Sequence, residues 1–266
     1  MNWREREAEA AATLRECRSE FAARGSTLIR ELSGEDAGDI VDWRHYPEGE
    51  VYDPASHAQY FYHRHPAPAA PCPAVRVEHG HFHLFLRGEG IPRGITPLLL
   101  PETAVANAPG PRHSAPLKRG GSDEVCHLAA IAIDRRGDPI RLFTTNRWVT
   151  GETWYRADDA IRMLERFRVR GDHPSALLNR WIGALVRLFQ PEIAQLLRDR
   201  DAAIMKRRWR WRSNVLEDPR LEITSSVDVD LEARLASVAQ GAGEPDVAPA
   251  QSRAPRLPRM AEGWGA

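Results

Sequence analysis

Residues 78–87 read EHGHFHLFLR, with histidine at positions 79, 81 and 83. Successive side chains of a strand point to opposite faces. An extended segment here would set His79, His81, His83 and Phe85 on one face, and Glu78, Gly80, Phe82, Leu84 and Leu86 on the other. The second set is core chemistry. The first is not the Thr, Lys, Glu or Arg of a solvated face, and three charged imidazoles would repel one another at mildly acid pH. The stretch therefore predicts a sheet packed on one side, with a functional histidine face on the other.

Spacing limits what that face can do. Alternate strand residues lie about 6.5–7 Å apart, so two imidazoles can converge on one ion at about 2.0–2.1 Å per bond. Three in a row span about 13 Å, too far for one ion. A metal site would then combine an HxH pair with ligands from neighbouring strands. Donors exist on both sides in sequence: His63 and His65 form a second HxH, and His127 follows Cys126. The candidate metal ligands are His79, His81, His83, His63 and His127. Nitrogen and oxygen donors suit Fe, Zn or Cu.

The flanking sequence supplies the rest of such a sheet. AQYFYHRH (58–65) alternates and is aromatic, and the long strand extends over 74–87. VCHLAAIAID (125–134) turns at Gly137 into IRLFTTN (140–146), a hairpin. DWRHYPEGEVYDPASH (42–57), with two prolines, reads as an ordered loop. Asn2 and Glu5 form a capping box for a helix ending near Gly25. RADDAIRMLERFRV, PSALLNRWIGALVRLF and PEIAQLLRDRDAAIMKRRWRW carry the helical period. The fold class is α+β: an antiparallel meander of about four strands packed with N-terminal and C-terminal helices. One domain is expected over 1–240, with helices in 2–33, the sheet region in 40–147, helices in 154–212 and a final strand and helix in 220–239. Residues 100–124 read as a lid loop, and 241–266 as a disordered Gly, Ala and Pro tail.

Lys plus Arg and Asp plus Glu both total 37, so the formal net charge is zero. That argues against a nucleic-acid binder. Cys17, Cys72 and Cys126 are odd in number and lack any CxxC, which points to a reduced cytoplasmic protein without a disulfide framework. No segment reads as a signal peptide or a membrane span.

Several residues are weighed for roles around the histidines. Glu78 and Glu152 are candidate general bases. Asn146, Arg147 and Trp148, at the end of the hairpin, would hold a planar or anionic ligand or simply anchor their loop. Tyr60 and Tyr62 sit opposite the histidine side, as packing or as ligand contacts. KRRWRWR (206–212) is the most basic run and would serve an interaction surface, although cations also suit a helix C-terminus. HFHLFLRGE is similar to the first half of a cupin motif, but Glu89 falls six residues after His83 and no second half follows.

HYPEGEVYDPASHAQYFYHRHP, EHGHFHLFLR, HLAAIAIDRRGDPIRLFTTNRWVTGETWY and NVLEDPRLEITSSVD together resemble an uncharacterised bacterial protein family, a domain of unknown function, over about residues 40–230. The resemblance implies one domain and carries over no catalytic residue. The leading reading is a metalloprotein acting on a small molecule, as a metal-dependent oxygenase or hydrolase. Its alternatives are a non-enzymatic small-molecule or metal-binding module and an interaction protein using the basic helix end. Substrate, metal and oligomeric state are open at this point.

Overall fold

The computed structural model describes residues 2–34, 40–66, 77–98, 124–211 and 214–241. Six strands form one antiparallel sheet in sequence order: β1 (Tyr46–Tyr52), β2 (Ala58–His63), β3 (Gly80–Arg87), β4 (Val125–Ile133), β5 (Pro139–Thr145) and β6 (Ile223–Asp228). The helices are α1 (Trp3–Ala23), α2 (Leu28–Ser33), α3 (Arg147–Thr150), α4 (Ala157–Leu164), α5 (Ala176–Leu188), α6 (Gln190–Trp211) and α7 (Leu231–Gly241). This is the α+β meander the sequence predicts, with two more strands than the expected four.

Both additions are edge strands. β1 lies in the stretch read as a loop, because Pro47, Gly49 and an irregular register against β2 hide its alternation. Glu50 takes a left-handed φ of 58° inside it. β6, after the helices, returns to pair with β5, for example Leu142 with Val227. The read lid falls outside the described residues apart from Glu124, as do the 66–73 proline connection beyond Pro66 and the tail after Gly241.

One face of the sheet is the core. Tyr60, Tyr62, Phe82, Leu84, Leu86, Ile131 and Leu142 are at most 1% exposed and pack under the helices. Trp181 of α5 reaches Phe82, with ring centroids 6.3 Å apart. Burying a side chain such as Leu84 stabilises by about 1.5–3 kcal/mol. α1 begins with the capping box expected of its sequence: Asn2 Oδ1 accepts the Glu5 N–H, and Glu5 Oε2 accepts the Asn2 N–H, each at 2.8 Å. It packs its Ala10, Leu14 and Cys17 stripe into the same core.

The opposite face of the sheet positions the site. The β2–β3 register pairs His63 with His81, Phe61 with His83 and Gln59 with Phe85. Between β3 and β4 the register slips: Leu84 pairs with Ala129, but Phe85 pairs with His127. Leu128 is the extra residue, and a bulge of this kind re-aims the side chains beyond it. Without the bulge His127 would oppose Leu86 and face the core; with it, His127 joins the histidine face.

Candidate metal centre

β3 starts at Gly80, later than the sequence suggests, and this changes the roles of the two residues before it. A regular strand would keep Glu78 off the histidine face. Instead its carboxylate turns onto that face, with Oε1 2.6 Å from His81 Nδ1 and Oε2 accepting from Arg141 Nη2 at 2.5 Å. His79 leaves the histidine row: its Nδ1 lies 2.6 Å from the Tyr62 hydroxyl, whose ring packs in the core. Gly80 permits that crossing, since any Cβ there would run into the Tyr62 hydroxyl and the His63 carbonyl.

The histidines that remain converge. His63, His81 and His83 each present a ring nitrogen, and the three atoms lie within 4.8 Å of one another. This is the arrangement that spacing permits: one HxH pair from β3 and one partner from β2. His63 Nε2 and His81 Nε2 approach to 2.7 Å. His83 Nδ1 is 3.1 Å from His127 Nε2, and His127 Nδ1 is 3.3 Å from Thr145 Oγ1. His127 thus stands behind His83 rather than within the trio. His65 adds a further imidazole beside it, its ring centroid 4.9 Å from that of His63 and 5.1 Å from that of His81.

These contacts fix tautomers. Burial raises the Glu78 carboxyl, but the hydrogen bond and charge of His81 and the charge of Arg141 outweigh it, so the group is held below the usual carboxylate range. An ionised Glu78 accepts from His81 Nδ1–H; in the neutral ring that tautomer leaves the Nε2 lone pair facing the trio, where it accepts from His63 Nε2–H at 2.7 Å. The carboxylate–histidine pair is the arrangement that orients histidine ligands at metal sites. Burial, followed by the neighbouring charges of His81, His127, His63 and His45, pushes His83 well below its ordinary value. Burial, then Arg200, brings His127 down to about 3. Neutral imidazole is the form that binds metal.

A cavity of about 250 Å³ opens over the trio, small beside typical ligand pockets of about 300–1,000 Å³. Phe143, Val149 and Ile223 give it apolar walls, and Arg141, Thr145 and Glu222 give it polar ones. Arg141 and Phe143 belong to no motif of the sequence. Their signal was the alternation of 141, 143 and 145 along β5, which shares a face with the β4 alanines paired to β3.

Other candidates are engaged elsewhere. Glu152 is 1% exposed and accepts the His127 backbone N–H at 2.8 Å, with its carboxyl raised by burial to about 7. Asn146 caps α3 and its Nδ2 donates to the Val215 carbonyl at 2.8 Å. Arg147 pairs with Glu217, and Trp148 Nε1 donates to the Leu221 carbonyl at 2.9 Å. These three pin the 215–221 segment to the end of β5. Tyr60 lies on the core face and donates to Asn179 Oδ1 at 2.5 Å. In the basic run, Arg207 is bound by Asp218 at 2.6 Å, Trp209 is 89% exposed, and Arg212 lies outside the described residues.

Fold and site together define an α+β protein whose sheet carries a histidine trio able to hold a metal ion. The chain belongs to the family described as Domain of unknown function (DUF6969), whose model matches residues 8–229. No curated protein and no solved structure matches the chain. No helix among the described residues is long and apolar enough to cross a membrane.

Proposed function

We propose that this protein is a metalloenzyme in which His63, His81 and His83 hold one Fe, Zn or Cu ion beneath the cavity, where it acts on a small molecule. The observation that carries this reading is the convergence of three ring nitrogens within 4.8 Å. The donor set fits such an ion: two of its imidazoles have their outer nitrogens engaged by Glu78 and His127, which turns the inner nitrogens toward a common point. Three protein ligands leave coordination positions for water or substrate. When bound, the metal supplies Lewis-acid chemistry or, if redox-active, oxygen chemistry, the classes of a hydrolase or an oxygenase.

The protein's own residues divide the remaining work. Glu78 fixes His81 and sets the negative charge behind it. His127, neutral and backed by Thr145, fixes His83. Arg141 and Thr145 orient polar groups of the substrate, and Phe143, Val149 and Ile223 hold its apolar part and exclude water. Glu152 supports the frame from the backbone of His127 rather than acting as a base. A non-enzymatic metal-binding module would share the ligand set but give no turnover.

The test is elemental analysis by plasma mass spectrometry of protein purified without a His-tag or chelator, alongside a His81→Ala/His83→Ala variant shown to be folded by circular dichroism. Near-stoichiometric metal in the wild type, lost in the variant, is expected. A wild type that stays metal-free after anaerobic Fe(II) and Zn(II) loading would overturn the reading.

A further inference from the structure

Away from the histidine face, α1, α5 and the start of α6 meet around a second cavity of about 240 Å³, lined by Trp3, Arg6, Glu7, Arg187 and Gln190 among others. Its charges do not balance. Glu7 is ion-paired with Arg234 of α7 at 2.5 Å, and Glu192 lies 3.6 Å from the same guanidinium. Neither Arg6 nor Arg187 has a side-chain hydrogen bond or ion pair among the described residues, and Arg187 Nε is buried without a partner. Two buried guanidinium donors at this junction, Arg187 Nε and Arg234 Nε, lack a hydrogen bond among the described residues, as does the acceptor Glu192 Oε2, while Glu7 Oε1 is held by Arg234.

Positive charge gathers beside it. Burial, and then the charges of Arg187, Arg170 and Arg6, lower the Arg168 guanidinium from its ordinary value. An orphaned buried donor such as Arg187 Nε calls for a partner, and the half-buried Arg187 has no counter-charge among the described residues. Guanidinium forks match carboxylate and phosphate geometry. Trp3, half exposed on the same wall, offers an aromatic face to the body of a ligand.

We propose that this junction is an oxyanion-binding site, in which Arg187 and Arg6 clamp the carboxylate or phosphate of a small ligand. It is separate from the metal centre and does not depend on it.

The test is isothermal titration of the full chain with inorganic phosphate and with citrate, at constant ionic strength, which also tells the two oxyanion classes apart. Saturable one-site binding of at least one of them is expected. Arg187→Gln should weaken it about tenfold or more, because hydrogen bonds to charged groups are lost. Arg6→Gln, on an exposed side chain, serves the same purpose if Arg187→Gln fails to fold. Arg135→Gln, at the exposed β4–β5 turn, should bind as the wild type does, and so should His81→Ala/His83→Ala. No saturable binding of either anion, equal binding by the arginine variants and Arg135→Gln, or loss of binding in the histidine variant would each overturn the proposal.

Discussion

Glu78→Gln isolates the orienting role of the carboxylate without touching a ligand. In the wild type, an ionised Glu78 accepts from His81 Nδ1–H at 2.6 Å, so the Nε2 lone pair is fixed toward His63 and His83. Hydrogen bonds to charged groups contribute about 1.5–3 kcal/mol, against about 1 kcal/mol for neutral ones. A glutamine oxygen facing Nδ1 would keep only the neutral bond, a loss of about 1–2 kcal/mol in holding the ligating form. A glutamine NH2 facing it would favour the other tautomer and put a proton on Nε2. Both outcomes weaken the metal, and loss of such outer partners typically reduces affinity about 10–100-fold. The assay is competition for Zn(II) against a chromogenic chelator. We expect unchanged stoichiometry and an affinity lower by about tenfold or more. An affinity within about twofold of the wild type would refute the orienting role.

Three further predictions concern the frame. Burial raises the Glu152 carboxyl from its ordinary value of 4.5 to about 7, so the folded state binds the extra proton. Its contribution is therefore full below pH 4.5 and is lost as pH rises toward 7, by at most about 3 kcal/mol. Glu152→Gln, compared with the wild type by urea unfolding at pH 5 and pH 8, should gain relative stability at the higher pH; a pH-independent difference would contradict this. Gly80→Ala drives a Cβ into the Tyr62 hydroxyl and the His63 carbonyl, with an overpacking cost of about 1–3 kcal/mol and weaker metal binding. A variant with wild-type melting and metal affinity would count against that close approach. Tyr60→Phe leaves Asn179 Oδ1 without its buried donor and should cost about 1–3 kcal/mol while sparing metal content, measurable by urea unfolding and plasma mass spectrometry. An unchanged midpoint would refute it.

The parts of this molecule that follow from local alternation were legible in the sequence. FHLFLR and YFY repeat with period two, the 125–146 hairpin shows as two apolar runs around a turn at Gly137, and spacing alone required an HxH pair plus a partner from another strand. Register was not legible. That His63 meets His81, while His65 stands beside the trio, depends on which residues of β2 and β3 pair, and nothing local specifies it. A single bulge at Leu128 moves His127 to the other face, and neither Leu128 nor its neighbours carry the Gly or Pro that would announce one. The start of β3 at Gly80 released Glu78 and His79 from the expected alternation and gave each a different partner. β1 escaped because Pro47, Gly49 and its irregular pairing erase the period, whereas β6 was legible as a strand but not as a sheet partner, since β5 lies some eighty residues earlier. The roles of Asn146, Arg147 and Trp148 likewise rest on contacts with residues 215–221 that sequence order does not suggest.

The central claim is that His63, His81 and His83 share one ion, and X-ray absorption spectroscopy of the metal-loaded protein measures that ligand set directly. The account predicts three imidazole scatterers at about 2.0–2.1 Å with oxygen donors completing the shell for Zn(II), and one imidazole fewer in His63→Ala. Sulfur in the first shell, or a spectrum that His63→Ala leaves unchanged, would contradict it.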